Sequence, residues 1–200
     1  MILAIDSSSG TGSAALVDAG RLLREVTFAG GRSRGGGAPR ALEELAVGEE
    51  EIHSVVVGTG PGSYNGIRSA IAVAWGFCSA RGIPLFPVSS LLALAPGEYL
   101  AAGDARQGMF YLAHIREGLF EREPGLVSQE DLSRAAAGAG GLPLFFPADP
   151  GDGFPTAVVA TPRAALLAGL APATPVSAAF PLPIYLKPPN ITPPRSTHAR

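Results

Sequence analysis

Apolar residues in this chain come in short blocks separated by glycine and proline. Residues 1–5 (MILAI) have the length and character of a buried strand, ended by Asp6. A turn-rich Ser-Ser-Ser-Gly-Thr-Gly stretch at 7–12 leads to a second strand over 13–17. The Asp18-Ala19-Gly20 turn then sends the chain back as a third strand over 22–28. The pattern predicts an antiparallel meander with a carboxylate closing its first strand. Residues 39–47 read as a short helix with Pro39 in its first turn and Leu42, Leu45 and Ala46 on one face. Residues 55–57 (Val-Val-Val) are a strand that stops at Gly58.

A glycine-rich loop follows, Gly58-Thr59-Gly60-Pro61-Gly62-Ser63, and then a helix capped near Ser63 and ended by Gly82. One seam of this helix carries Ile67, Ala70, Ile71, Ala74, Trp75 and Cys78. The opposite side offers Ala72, Val73, Gly76, Phe77 and Ala80, and only Arg68, Ser69, Ser79 and Arg81 are polar. A helix lying on a sheet needs one apolar stripe, so a second one must be covered too. The preceding helix is too short for that task. The seam from Ile67 to Cys78 is therefore expected to meet a protein partner.

Further along, a proline-interrupted strand covers 83–88 and Ser89 caps a helix through Ala95. A strand over 99–102 ends in Gly-Asp104-Ala-Arg106-Gln-Gly. Strands over 109–115, 119–122, 142–146 and 157–160 alternate with helices over 128–137 and 162–171. Strands mixed with helices in both halves make the chain α/β. The expected division is an N-terminal subdomain over 1–100, a smaller α/β subdomain over 101–186 and a Pro-rich tail over 187–200. That tail has four prolines and almost no apolar residues, which predicts an extended or disordered segment.

The chain has 200 residues, 46% of them hydrophobic, enough for a sizeable core. A net charge of −2 gives no global case for nucleic-acid binding. The arginines of 29–40 lack aromatic neighbours and read as a surface loop. Cys78 is the one cysteine, so no internal disulfide forms. The first apolar run is too short for a membrane span and lacks the basic flank of a signal peptide, which predicts a cytoplasmic protein. No Gly-Lys-Ser/Thr phosphate loop, third glycine of a dinucleotide fingerprint or G-x-S-x-G elbow is present. His53, His114 and His198 have no ligand-pair spacing, so no metal site is expected. Two readings of Asp6 and Asp104 stay open. They are turn-capping residues, or, with the Gly60 loop, they surround a magnesium nucleotide.

The run from Gly58 to Arg68, GTGPGSYNGIR, resembles the G-x-G-P-G-S-[FY]-T-G-[VI]-R motif of the TsaB (YeaZ) family, and four further blocks agree in order. These are residues 2–8, Val88 to Leu91, Asp104-Ala105-Arg106 and Pro183 to Leu186. Asn65 departs from the family threonine and Met109 from a glutamate. The resemblance implies a two-subdomain actin/sugar-kinase-like (ASKHA, ribonuclease H-like) α/β fold. It also implies a non-catalytic scaffold for transfer of threonylcarbamoyl to N6 of adenosine 37 in tRNAs reading codons that start with A. The implied partners are a TsaD-like catalytic subunit and a TsaE-like ATPase. A homodimer forms when the partner is absent, tRNA is engaged indirectly and no membrane is involved. ATP and magnesium are used by the complex, with no cofactor held by this chain alone. Candidate ligand contacts are Asp6, Gly60, Gly62, Ser63, Arg68, Asp104 and Arg106. The rival readings are an independent ATPase or kinase of the same fold and a peptidase-like protein.

Overall fold

The computed structural model describes residues 1–30, 37–45, 51–171 and 180–186. The expected tail over 187–200, the arginines at 32 and 34 and the last two residues of the first predicted helix lie outside them.

Strands β1 (Ile2–Asp6), β2 (Thr11–Asp18) and β3 (Arg21–Ala29) form the predicted antiparallel meander. Ala19 and Gly20 both take positive φ, 47° and 78°, as a tight hairpin turn requires. Helix α1 (Gly37–Glu44) then crosses over to β4 (Ser54–Gly58), which pairs parallel with β1. Helix α2 (Tyr64–Arg81) crosses to β5 (Leu85–Val88), parallel with β4. The sheet order is β3-β2-β1-β4-β5. A parallel neighbour needs a crossover, so helices cover the sheet there, and β1 and β4 are buried along nearly their whole length while the edge strand β3 is not. Leu3, Ile5, Val55 and Val57 point toward α1 and α2, while Ala4, Val56 and Phe86 point the other way.

The second sheet has order β10-β9-β6-β7-β8. Its strands are β6 (Glu98–Asp104), β7 (Met109–Arg116), β8 (Leu119–Ser128), β9 (Leu144–Phe146) and β10 (Val158–Val159). Helix α3 (Gln129–Gly138) covers one face over Leu100, Leu112 and Phe146. Ser128 caps it by accepting from the Asp131 N–H at 3.1 Å. The other face packs Tyr99, Ala101 and Ile115 against Leu91 and Leu94.

Several predicted elements differ. Residues 90–93 form a 3₁₀ turn rather than a longer helix, and Ser89 makes no cap but donates to the Gly60 carbonyl at 2.9 Å. Strand β8 continues through Pro124 and Gly125, because an edge strand tolerates a residue without an N–H. Helix α4 is only Ala164–Ala168, stopped at Gly169. The expected split at residue 100 assigns all of 101–186 to the second subdomain. The second sheet instead opens at Glu98, and α4 returns to the first sheet, burying Ala164, Leu167 and Ala168 against Ala15, Val17 and Val56.

Ser13 fixes that return. Its hydroxyl accepts from the Ala164 N–H at 2.8 Å and donates to the Pro162 carbonyl at 3.3 Å, and Glu25 pairs with Arg163 beside it. Ser13→Ala leaves a buried N–H without an acceptor. The expected loss is about 1–3 kcal/mol of unfolding free energy by urea titration.

Candidate functional site

The site predicted around the glycine loop is assembled where β1 and β4 end. Asp6 lies fully buried at the end of β1. Its Oδ1 accepts from the Ser8 N–H and the Ser8 hydroxyl, both at 2.8 Å, and its Oδ2 accepts from the Ser90 hydroxyl at 2.5 Å. Burial raises its pKa, and the hydrogen bonds from Ser90 and Ser8 act in the opposite direction. Gly58 is required here, because a Cβ on it would sit 1.8 Å from Asp6 Oδ2.

The loop turns its backbone groups inward. The Thr59 N–H donates to Val88 O, Gly60 N–H to Ser90 Oγ, Ser63 N–H to Ser8 O at 2.6 Å, and Gly66 N–H to Ser63 Oγ. The Gly60 carbonyl in turn accepts from the Ser90 N–H. A phosphate cradle needs such N–H groups free and convergent. Gly60 takes φ 89°, which L side chains rarely adopt, and a Cβ there would lie 2.5 Å from Ile67 Cδ1. Gly62 and Gly66 allow close approach, since a Cβ would lie 2.1 Å from Ser8 O and 1.9 Å from Ser7 O respectively. Ser63 is the N-cap of α2, as its position predicts.

Asp104 is not brought to Asp6 as a ligand pair. It is exposed, accepts from the Arg106 N–H at 2.6 Å and pairs with the Arg106 guanidinium at 3.2 Å. Arg68 is exposed on α2, donating to the Tyr64 hydroxyl at 2.6 Å. Among the described residues no group of three or more His, Cys, Asp or Glu side chains could hold a metal ion. The residues present do not fit a metal-nucleotide, because the one carboxylate at the strand end is sealed by the chain's own hydroxyls.

The predicted partner seam is corrected by burial. Ile67, Ala70, Ile71, Ala74 and Cys78 are buried against Leu3, Ile5, Val55 and Val57 of the chain's own sheet. Trp75 lies half-buried at the margin, its ring edge-on to Phe180 at 5.5 Å. The seam spacing was right for a buried face, but periodicity does not say what buries it. Burial pushes the Cys78 thiol up to about 11, so it is an inert core group. The face of α2 left open carries Asn65, Ser69, Ala72, Gly76 and Ser79. Space over Gly76 is empty to 4 Å.

Sequence reasoning missed two serines and one segment. Ser8 and Ser90 are ordinary serines until the fold places them on Asp6. Residues 180–186 lie on α2, with Tyr185 stacked on Tyr64 at 5.3 Å, a contact that no local pattern encodes.

Residues 38–123 match the family model described as TsaD: tRNA N6-adenosine threonylcarbamoyltransferase. The chain is similar to an uncharacterised protein of Mycobacterium leprae, 31% identical over 217 residues, covering 96% of this chain and 56% of the relative. It is also similar to the tRNA threonylcarbamoyladenosine biosynthesis protein TsaB of Bacillus subtilis, 30% identical over 138 residues, covering 64% of this chain and 58% of that protein. Among solved structures it resembles a Pseudomonas aeruginosa protein described as similar to the peptidase YeaZ. There the TM-score is 0.72 and the identity 28%, covering 93% of this chain and 99% of that one. The chain spans about half the length of the first curated relatives it matches. The two mixed sheets with their helices share the fold of that Pseudomonas aeruginosa structure.

Gly66→Ala forces a methyl onto the Ser7 carbonyl and is expected to cost at least about 1–3 kcal/mol. Gly76→Ala, in open space, is expected to stabilise by about 0.5–1 kcal/mol. Thermal unfolding of the pair reads both. Asp6 has a folded pKa above its ordinary 3.8, so its contribution favours the fold most below 3.8 and is lost as pH rises through the folded value. The stability of the wild type relative to Asp6→Asn is therefore expected to fall as pH rises from below 3.8 to neutrality, measured by urea titration across that range.

Proposed function

Because the chain belongs to the TsaB (YeaZ) family, we propose that it is a non-catalytic partner subunit in threonylcarbamoyl transfer to N6 of adenosine 37 of tRNA. Its role is to dock a TsaD-like catalytic subunit. A TsaE-like ATPase joins that assembly, and ATP and magnesium act on the partners. A homodimer through the same face stands in when the TsaD-like subunit is absent.

The observation that carries this reading is the open face of α2. An 18-residue helix exposes a row of small residues, Ser69, Ala72, Gly76 and Ser79, on a rigid sheet-backed support. Small side chains let a partner helix approach closely and lose little rotamer freedom on docking. The likeness to the TsaD family over 38–123 includes this helix and strands β4 and β5 beneath it. The sealed carboxylate of Asp6 and the inward-turned loop favour a scaffold over the ATPase or kinase reading. Among the described residues, no helix is long and apolar enough to cross a membrane.

Ala72→Glu tests the face without disturbing the core, whereas Ala74→Glu would bury a charge in it. The variant is expected to keep the wild-type melting temperature and to lose co-purification with the TsaD-family subunit of the same organism. Reconstitution with a TsaE-family ATPase is expected to yield little modified adenosine. Wild-type recovery of the complex would refute the assignment of this face.

A further inference from the structure

We propose that residues 180–186 form the second half of the partner-binding surface: an extended strap that lies along α2 and widens the small-residue face into an aromatic ledge. This rests on the docking role proposed above and names the residues that set its specificity.

The strap is tied to the glycine loop, packs its last residue, Leu186, against the cluster of Leu91, Leu94 and Tyr99, and meets α2 through its rings. The Ile184 N–H donates to the Thr59 carbonyl at 2.9 Å, joining the strap to the glycine loop. Phe180 meets Trp75 in the middle of α2, and Tyr185 stacks on Tyr64 at its start, ring planes 24° apart. The strap therefore runs antiparallel to the helix. Five extended residues cover about 17 Å, and the eleven helical steps from Tyr64 to Trp75 rise by about the same distance. The two segments match in length.

The outer side of this arrangement is apolar and open. Leu182 is 79% exposed, Phe180 50%, Tyr185 46% and Tyr64 45%. Together they account for four of the large exposed apolar side chains of the described residues, gathered at one place beside the open face of α2. Arg68 stands among them, its guanidinium 5.1 Å from the Tyr64 ring centroid, and makes no ion pair with any described residue. Aromatic side chains with arginine are the composition of an interface core rather than of free surface. Continuity with the open face of α2 assigns the ledge to the same occupant. That partner presents an apolar surface with a carboxylate opposite Arg68.

The test measures affinity for the TsaD-family subunit of the same organism by calorimetry, using full-length chains. Leu182→Asp is expected to weaken binding by about tenfold or more, with the melting temperature unchanged because the side chain faces solvent. Leu182→Met is expected to bind as the wild type does. If Ala72→Glu abolishes binding while Leu182→Asp binds with wild-type affinity, the strap lies outside the interface and this inference fails, with the docking role intact. If both variants bind as the wild type does, the docking role itself fails.

Discussion

A single buried carboxylate sets the geometry of the first half of the molecule. Desolvating Asp6 is costly, and only the donors around it make it tolerable. Those donors come from two distant places in the chain, Ser8 in the next turn and Ser90 beyond β5. Ser90 also accepts from the Gly60 N–H, so the carboxylate, the 3₁₀ turn and the glycine loop form one hydrogen-bonded chain. The direction in which α2 leaves the loop follows from it. With Ser63 held to the Ser8 carbonyl and Gly66 laid against Ser7, the helix is aimed along the sheet before its side chains pack. A group that reads in sequence as a candidate ligand for a metal-nucleotide is an internal clasp.

Helix α2 shows how one segment serves two purposes. Its sheet-facing seam is bulky enough to fill the space over Leu3, Ile5, Val55 and Val57. Its outward face is small and nearly featureless, which suits close approach by another surface. The aromatic residues that might have covered it lie to one side, as part of the strap. The open face is thus bordered by Phe180 and Tyr185 of the strap together with Tyr64 and Trp75 of α2 itself.

Much of this was legible in the sequence because its signals are local. The meander, the Val55–Val57 strand, the Ser63 cap and the tight packing at Gly62 and Gly66 follow from strand alternation, capping chemistry and the sterics of glycine. The family motif blocks carried the two-sheet architecture. What stayed hidden depends on tertiary contact. Periodicity locates both faces of α2 but does not say which one the sheet covers, so a seam that reads as a partner face packs in the core at Ile67, Ala70, Ile71, Ala74 and Cys78. The serines on Asp6 and the strap on α2 carry no local signal. The 3₁₀ turn at 90–93 exists because Ser89 and Ser90 hydrogen-bond the loop rather than extend a helix.

The return of α4 bears on how the chain is made. Ala164 and Ser13 meet across 151 positions, and this late segment packs with Ala93 on the back of the first sheet. During synthesis, at about 5–20 residues per second, the strands that open the chain emerge well before their cover. For that interval Ala4, Val56 and Phe86 present an apolar surface to the surroundings of the ribosome. The cover of the N-terminal sheet thus waits on the last quarter of the polypeptide.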